Sequence, residues 1–215
     1  MAGLAPRVVR INAAGSRWFE DDLALVAGME LDAIVLPKAT PEALSALPDG
    51  PPVVAIVETA QGLRLAYEIA SSPRVAALLI GAVDLGAELG LEPRPDGLEI
   101  LHARSRVVVD SRAAGIRPPF DIVHLEVQDL AGLEAACAFG RSLGFRGKAC
   151  IHPEQVAVVN RAFVPSEREV EWAHRVVDAF EESGKGVLAV NGEMIDLPVV
   201  ERARRILDEI ERSSA

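Results

Sequence analysis

Two acids, Glu58 and Asp84, carry the strongest chemical signal in this chain. Glu58 closes the apolar run Pro52-Val53-Val54-Ala55-Ile56-Val57, and Asp84 follows Val75-Ala76-Ala77-Leu78-Leu79-Ile80-Gly81. A parallel strand buried on both faces reads as an unbroken apolar run. In parallel α/β folds, ligands gather where such strands give way to the next helix. No basic residue adjoins either acid in the sequence. Two carboxylates delivered to one sheet end make a hard, oxygen-rich pocket suited to a divalent cation such as Mg2+. The plainer alternative has one acid capping a helix and the other pairing with a surface lysine.

The elements that must position these acids alternate along the chain. Strands are expected at Arg7–Asn12, Ala33–Pro37, Pro52–Glu58, Val75–Gly81, Asp121–Val127 and Gly147–His152. Between them helices are expected at Phe19–Gly28, from Thr40-Pro41, at about Gln61–Ser71, at Gly97–Ala114 and at Leu130–Leu143. Ser16 and Thr40 are candidate caps, Pro41 suits a first helical position, and Glu20, Asp21 and Asp22 favour the positive end of the first helix. Gly144 stops the last of these helices and Pro153 the last strand. After Pro165 charged helices replace the alternation, apart from a turn at Ser183-Gly184-Lys185-Gly186 and a short apolar piece, Val187–Val190. The expected organisation is therefore an α/β domain over 1–165 and a helical extension over 166–215. Strand–helix alternation means a parallel sheet with right-handed crossovers. Periodicity alone leaves a doubly wound sheet and part of an eight-stranded barrel both open.

The totals exclude several functions. At 215 residues the chain can bury a substantial core, and its 50% hydrophobic, 4% aromatic composition suits helices on a parallel sheet. No apolar run approaches the length of a membrane span, and no signal segment opens the sequence, so a cytoplasmic protein is expected. The net charge of −10, without a basic cluster, argues against nucleic acid. Neither a Gly-x-Gly-x-x-Gly nor a Walker loop follows the first strand. Cys137 and Cys150 are too few for a disulfide framework and are expected to pack as small hydrophobes.

Several short motifs occur together and in order. They are Arg10 in Val-Val-Arg-Ile-Asn, Lys38 in Leu-Pro-Lys, Glu58 in Val-Glu-Thr-Ala-Gln-Gly and Asp84 in Gly-Ala-Val-Asp-Leu. Gly144-Phe145-Arg146-Gly147-Lys148, Ile151-His152-Pro153-Glu154-Gln155, Asn160-Arg161-Ala162-Phe163-Val164-Pro165-Ser166 and Gly192-Glu193-Met194-Ile195-Asp196-Leu197-Pro198 follow. Over nearly its whole length the chain resembles the citrate lyase β-subunit (CitE-like) family of the HpcH/HpaI aldolase superfamily. That resemblance implies a TIM-barrel-type (β/α) fold and a Mg2+-dependent carbon–carbon lyase in a homo-oligomer, trimeric or hexameric. The implied substrate is a short CoA thioester of the citryl-, malyl- or citramalyl-CoA type, or an oxo acid. It assigns Glu58 and Asp84 to the metal, with Glu58 also near the substrate. Arg10 would hold the substrate's carboxylate or carbonyl oxygen and serve catalysis. Asp196 would transfer protons, in some relatives in a neighbouring subunit's site.

Without the resemblance, Arg10 could point out of its strand, Lys38 reads as a solvated strand end, and His152 reads as a structural hydrogen bonder. His102, His124 and His174 show no metal-ligand spacing, and Asp196 equally suits a helix cap before Leu197-Pro198. Against the family pattern, two N-terminal strand–helix units and their Asp-Leu-Glu-Asp motif are missing, which leaves six of eight strands evident. Val83 stands where many relatives carry a polar residue. Open sheet edges then need cover, which also favours an oligomer. Rival functions are CoA-thioester condensation or hydrolysis, a free 2-oxo acid aldolase, and a non-catalytic relative.

Overall fold

The computed structural model describes residues 6–183, 187–190 and 193–214. They fall into two compact units that divide between Val159 and Asn160.

In the first unit the alternation builds a parallel sheet. β1 (Val8–Arg10) leads to α1 (Phe19–Ala27), β2 (Ala33–Leu36) to α2 (Pro41–Ser45), and β3 (Val53–Val57) to α3 (Ala60–Arg64) and α4 (Ala66–Ala70). β4 (Val75–Ile80) completes a four-stranded sheet of order β1-β2-β3-β4. All three pairings are parallel, with Val8 opposite Ala33, Ile34 opposite Val53 and Ile56 opposite Leu79. This register places the carboxyl ends of β1 to β4 along one rim. Val53, Ala55, Val57, Leu78 and Ile80 are buried, as are Ile69 and Ala66 from α4. The unbroken apolar runs thus lie in the core, where each large side chain contributes about 1.5–3 kcal/mol.

Six strands are expected in this unit, and among the described residues four form. The segments expected as fifth and sixth strands meet the sheet only through isolated parallel bridges, Leu79 to Phe120 and Asp121 to Lys148. Their hydrogen bonds follow strand order: Phe120 N–H donates to the Leu78 carbonyl at 2.9 Å and Asp121 N–H to the Gly147 carbonyl at 2.9 Å. Pro118 and Pro119, just before Phe120, bring no N–H to the ladder. Among the described residues β1 pairs with β2 alone, so the ladder is not seen to close into a barrel.

The remaining elements are α5 (Ala82–Leu89), a 3-10 turn at Leu98–Ile100, α6 (Leu101–Ala113), α7 (Leu130–Leu143) and α8 (Pro153–Phe163). No helix is expected from sequence at α5. The single helix expected at Gln61–Ser71 is broken at Leu65 into α3 and α4, and Thr59 caps the first piece through Gly62 N–H at 2.9 Å. Thr40 caps α2 as expected, accepting from Ala43 N–H at 3.1 Å. Ser16 does not cap α1; Trp18 occupies that position with no side-chain bond. Gly144 ends α7 in the left-handed region at φ 109°, where glycine carries no Cβ penalty. Cys137 and Cys150 are free thiols, and burial pushes both above the ordinary thiol value.

A buried ionic hub ties α6 to the two bridged segments. The Arg104 guanidinium donates to both Asp121 carboxylate oxygens at 3.0 and 2.7 Å, and Lys148 Nζ donates to Asp121 at 3.3 Å. Arg104, Asp121 and Lys148 are 3%, 0% and 6% exposed. Two cations sharing one anion hold only because the fork geometry is bidentate and the third contact is direct.

The second unit contains α9 (Glu167–Ser183), β5 (Leu188–Val190), β6 (Glu193–Ile195) and α10 (Leu197–Ser214). The apolar piece expected at 187–190 pairs antiparallel with β6, Ala189 opposite Met194. Ala173, Val176, Ile195, Val200, Ala203 and Ile206 form its core. Gly184, Lys185 and Gly186 of the expected turn, and Gly192, lie outside the described residues. Among the described residues no helix is long and apolar enough to cross a membrane.

Candidate active site

The sheet rim gathers Arg10 from β1, Lys38 after β2, Glu58 after β3 and Asp84 from the first turn of α5. All four line one cavity of about 480 Å³ together with Asn12 and Ser16. Each stands at or just beyond the carboxyl end of a different parallel strand, the place where such a fold presents chemistry.

Glu58 is the buried member, 4% exposed. The backbone N–H of Lys38 donates to its Oε1 at 2.9 Å. Gly81 makes room for it, since a Cβ there would lie 2.5 Å from Glu58 Cβ and 2.6 Å from its Oε2. Burial pushes the Glu58 carboxyl above its ordinary value. The Lys38 N–H opposes that shift, the Asp84 charge adds to it, and Arg10 and Lys38 charges oppose it. Asp84 is half-exposed, and its Oδ1 lies 3.9 Å from Lys38 Nζ. Its helix is tied down by Glu88, which accepts from Ala60 N–H at 3.2 Å and so joins α5 to the start of α3. Asn12 donates from its backbone and side chain to Asp22 at 2.7 and 2.8 Å, fixing the segment after β1 against α1. Arg10 is exposed and makes no ion pair within 4 Å among the described residues.

The sequence shows no base beside either acid, yet in space Lys38 lies near both, its backbone N–H donating to Glu58 at 2.9 Å and its Nζ standing 3.9 Å from Asp84. The Lys38 side chain is exposed, as a solvated strand end should be, and it also lines the cavity wall. The strand-end logic that selects Glu58 selects Lys38 too, since it follows β2 by two residues. Its φ of 48° is a tertiary feature with no sequence signature.

The acids suit a divalent cation by their chemistry. They are two carboxylates on one wall that repel each other, the repulsion contributing to the raised Glu58 pKa, and Mg2+ takes one or two such ligands plus water and substrate. Asp196 lies in the second unit and caps α10, accepting from Val199 N–H at 3.2 Å. His152 accepts from Glu154 N–H through Nδ1 at 3.3 Å, a structural bond. His124, Glu126 and Asp129 bring ligand atoms within 4.8 Å of one another, a grouping that a search for histidine spacing misses. Asp129 also caps α7 through Gly132 N–H at 2.9 Å. α5 borders a second cavity of about 380 Å³, lined chiefly by Ala82, Val83, Ala87, Leu91, Ile122 and Leu125.

Residues 2–153 match the family model described as HpcH/HpaI aldolase/citrate lyase. The chain is 38% identical over 216 residues to a (3S)-malyl-CoA thioesterase of Cereibacter sphaeroides, covering 97% of this chain and 75% of that protein. It is 34% identical over 225 residues to the citrate lyase subunit beta of Escherichia coli K12, covering 96% and 74%. The crystal structure of CitE from Mycobacterium tuberculosis, in complex with magnesium, acetoacetate and coenzyme A, superposes with a TM-score of 0.84. That match has 37% identity and covers 95% of this chain and 78% of the other. The chain belongs to the HpcH/HpaI aldolase/citrate lyase family.

Proposed function

We propose that this protein is a Mg2+-dependent carbon–carbon lyase that cleaves a short 3-hydroxyacyl-CoA thioester of the citryl-, malyl- or citramalyl-CoA type through an enolate. The observation that carries this reading is the meeting of Glu58, Asp84 and Arg10 on one cavity wall. Glu58 and Asp84 would hold the cation, which when bound supplies Lewis-acid stabilisation to substrate oxygens. The chain's own residues do the rest. Arg10 offers a planar fork to a substrate carboxylate and so orients the bond to be broken. Its positive charge also faces the electron density that builds as the thioester fragment departs as an enolate. The Lys38 N–H keeps Glu58 in one rotamer, so the site is preorganised rather than assembled on binding. The second, apolar cavity beside α5 suits the less polar arm of a thioester.

Proton transfer by Asp196, contributed within one chain or across a homo-oligomer, belongs to the same proposal, supported by the resemblance alone. Thioester hydrolysis is the second reading, favoured by the similarity to a malyl-CoA thioesterase. Product analysis separates the two. With malyl-CoA and Mg2+, the lyase releases acetyl-CoA and glyoxylate, whereas hydrolysis gives malate and free CoA. Failure to see either cleavage to acetyl-CoA and an oxo acid or release of free CoA, with malyl-, citryl- or citramalyl-CoA, would overturn the enzymatic reading.

A further inference from the structure

We propose that Lys38 reads a second negative charge on the substrate, so that the metal-loaded site selects a dicarboxylate oxo acid over a monocarboxylate. This inference rests on the proposed function above and deepens it. The charged side chains lining the cavity are Arg10, Lys38, Glu58 and Asp84, two cations and two anions. Their charges sum to zero. A divalent cation on the two acids leaves the wall with a net charge of two positive units. A ligand that enters a site walled partly by buried groups is favoured when it brings the matching charge. Arg10 can take one carboxylate. The charge left over is that of Lys38.

The geometry gives Lys38 the freedom to use it. Its backbone is held at two points: its own N–H donates to Glu58 Oε1 at 2.9 Å, and the next N–H, of Ala39, donates to the Ile56 carbonyl at 3.0 Å. Its ammonium is not held. The single acid within reach is Asp84 at 3.9 Å, beyond hydrogen-bond length, with both side chains about half exposed. A cation bound at Asp84 would repel that ammonium and turn it toward an incoming anion. Lys38 is also the one non-glycine residue with positive φ among the described residues, at 48°. Glycine or asparagine would sit there with less strain. Strain kept at a cavity wall points to a task for the side chain that imposes it.

The test is calorimetric titration of the full chain with Mg2+ alone, then of Mg2+-saturated protein with fresh oxaloacetate and with pyruvate. Lys38→Asn is the variant of choice, because asparagine tolerates the left-handed backbone and keeps the N–H on Glu58. Loss of the cation beside Asp84 should raise Mg2+ affinity by about two- to fivefold. Oxaloacetate affinity should fall by roughly tenfold or more, and pyruvate affinity by less than about threefold. Lys38→Arg should restore the preference for oxaloacetate. A merely structural lysine would not move Mg2+ and oxaloacetate in opposite directions. Equal losses for both oxo acids, or no loss for either, would overturn this inference alone. A wild-type chain that binds no Mg2+ would overturn it together with the proposed function.

Discussion

Gly81→Ala tests whether the site depends on the place where Glu58 is held. The added Cβ would lie 2.5 Å from Glu58 Cβ, 2.6 Å from Glu58 Oε2 and 3.1 Å from Ile56 Cγ2. Ordinary carbon contacts are about 3.5–4.0 Å, so the conflict is roughly 1 Å deep. Rotation of the Glu58 side chain cannot relieve it, because the Cβ itself is struck. That atom is fixed to the end of β3, whose Val57 carbonyl accepts from Gly81 N–H at 3.0 Å. The strand end must therefore move. Overpacking of this kind costs about 1–3 kcal/mol, and in a chain of this size each kcal/mol lowers Tm by about 2–4 °C. The expected loss in Tm is thus roughly 2–12 °C. The same shift should lengthen the 2.9 Å bond from Lys38 N–H and lower Mg2+ affinity about tenfold or more. Gly86→Ala is the matched control: it sits inside α5, and beyond the backbone of its own helix turn nothing lies within 4 Å of its added Cβ. It should stabilise by up to about 1 kcal/mol through helix propensity and leave Mg2+ binding intact. Thermal melts and calorimetry on the two variants decide the matter. A Gly81→Ala protein with wild-type Tm and wild-type Mg2+ affinity would refute the reasoning.

Glu58→Gln should lose Mg2+ binding yet be at least as stable as the metal-free wild type at neutral pH. Burial raises the folded carboxyl above its ordinary value of 4.5, so its stabilising contribution is full below that value and lost as pH rises through the folded one. Melts from pH 4 to 8 should show the advantage of the variant vanishing in acid; a deficit at neutral pH would contradict this. Asp121→Asn leaves Arg104 and Lys148 buried without a counter-charge, which should cost about 3–5 kcal/mol; an unchanged denaturant midpoint would show that the hub is not ionic in effect. Asp196→Asn keeps the α10 cap, so its homomer should fold normally but be inactive, as should that of Glu58→Gln. Mixed oligomers of the two should regain part of the activity if Asp196 serves a neighbour, and no recovery in demonstrably mixed oligomers would exclude that role.

What was legible in the sequence was whatever a local pattern dictates. β2 to β4 are legible because their apolar runs are unbroken, β1 because Arg10 sits among β-branched residues, and Thr40-Pro41 marks a helix start because capping is chemistry within three residues. α5 is not legible because Gly86, inside it, weakens the helical pattern of a short segment; Gly90 ends that helix in the left-handed region at φ 67°. Ile122-Val123 and Cys150-Ile151 look strand-like in sequence, yet among the described residues these segments join the sheet only through single bridges at Phe120 and Asp121. Pro118 and Pro119 withhold donors just before the first bridge, and the side chains of Asp121 and Lys148 meet Arg104 in an ionic hub that no local pattern announces.

The candidate site divides along the same line. Glu58 and Asp84 were legible because an acid at the end of a buried run has few structural reasons to be there. What holds Glu58 was not legible, because it consists of a backbone N–H presented by a left-handed residue and of empty volume at a glycine. Both are products of strand register: β2 beside β3 brings Lys38 to one side of Glu58, and β3 beside β4 brings Gly81 to the other. Glu58 is thus gripped by the two strands that flank its own, so its carboxylate can stay buried, raised in pKa and fixed in place while it waits for a cation. Asp84, on the first turn of a helix and half open to solvent, can adjust to meet it. One rigid ligand and one yielding ligand form a site that defines position without closing it, leaving the remaining coordination to water and substrate.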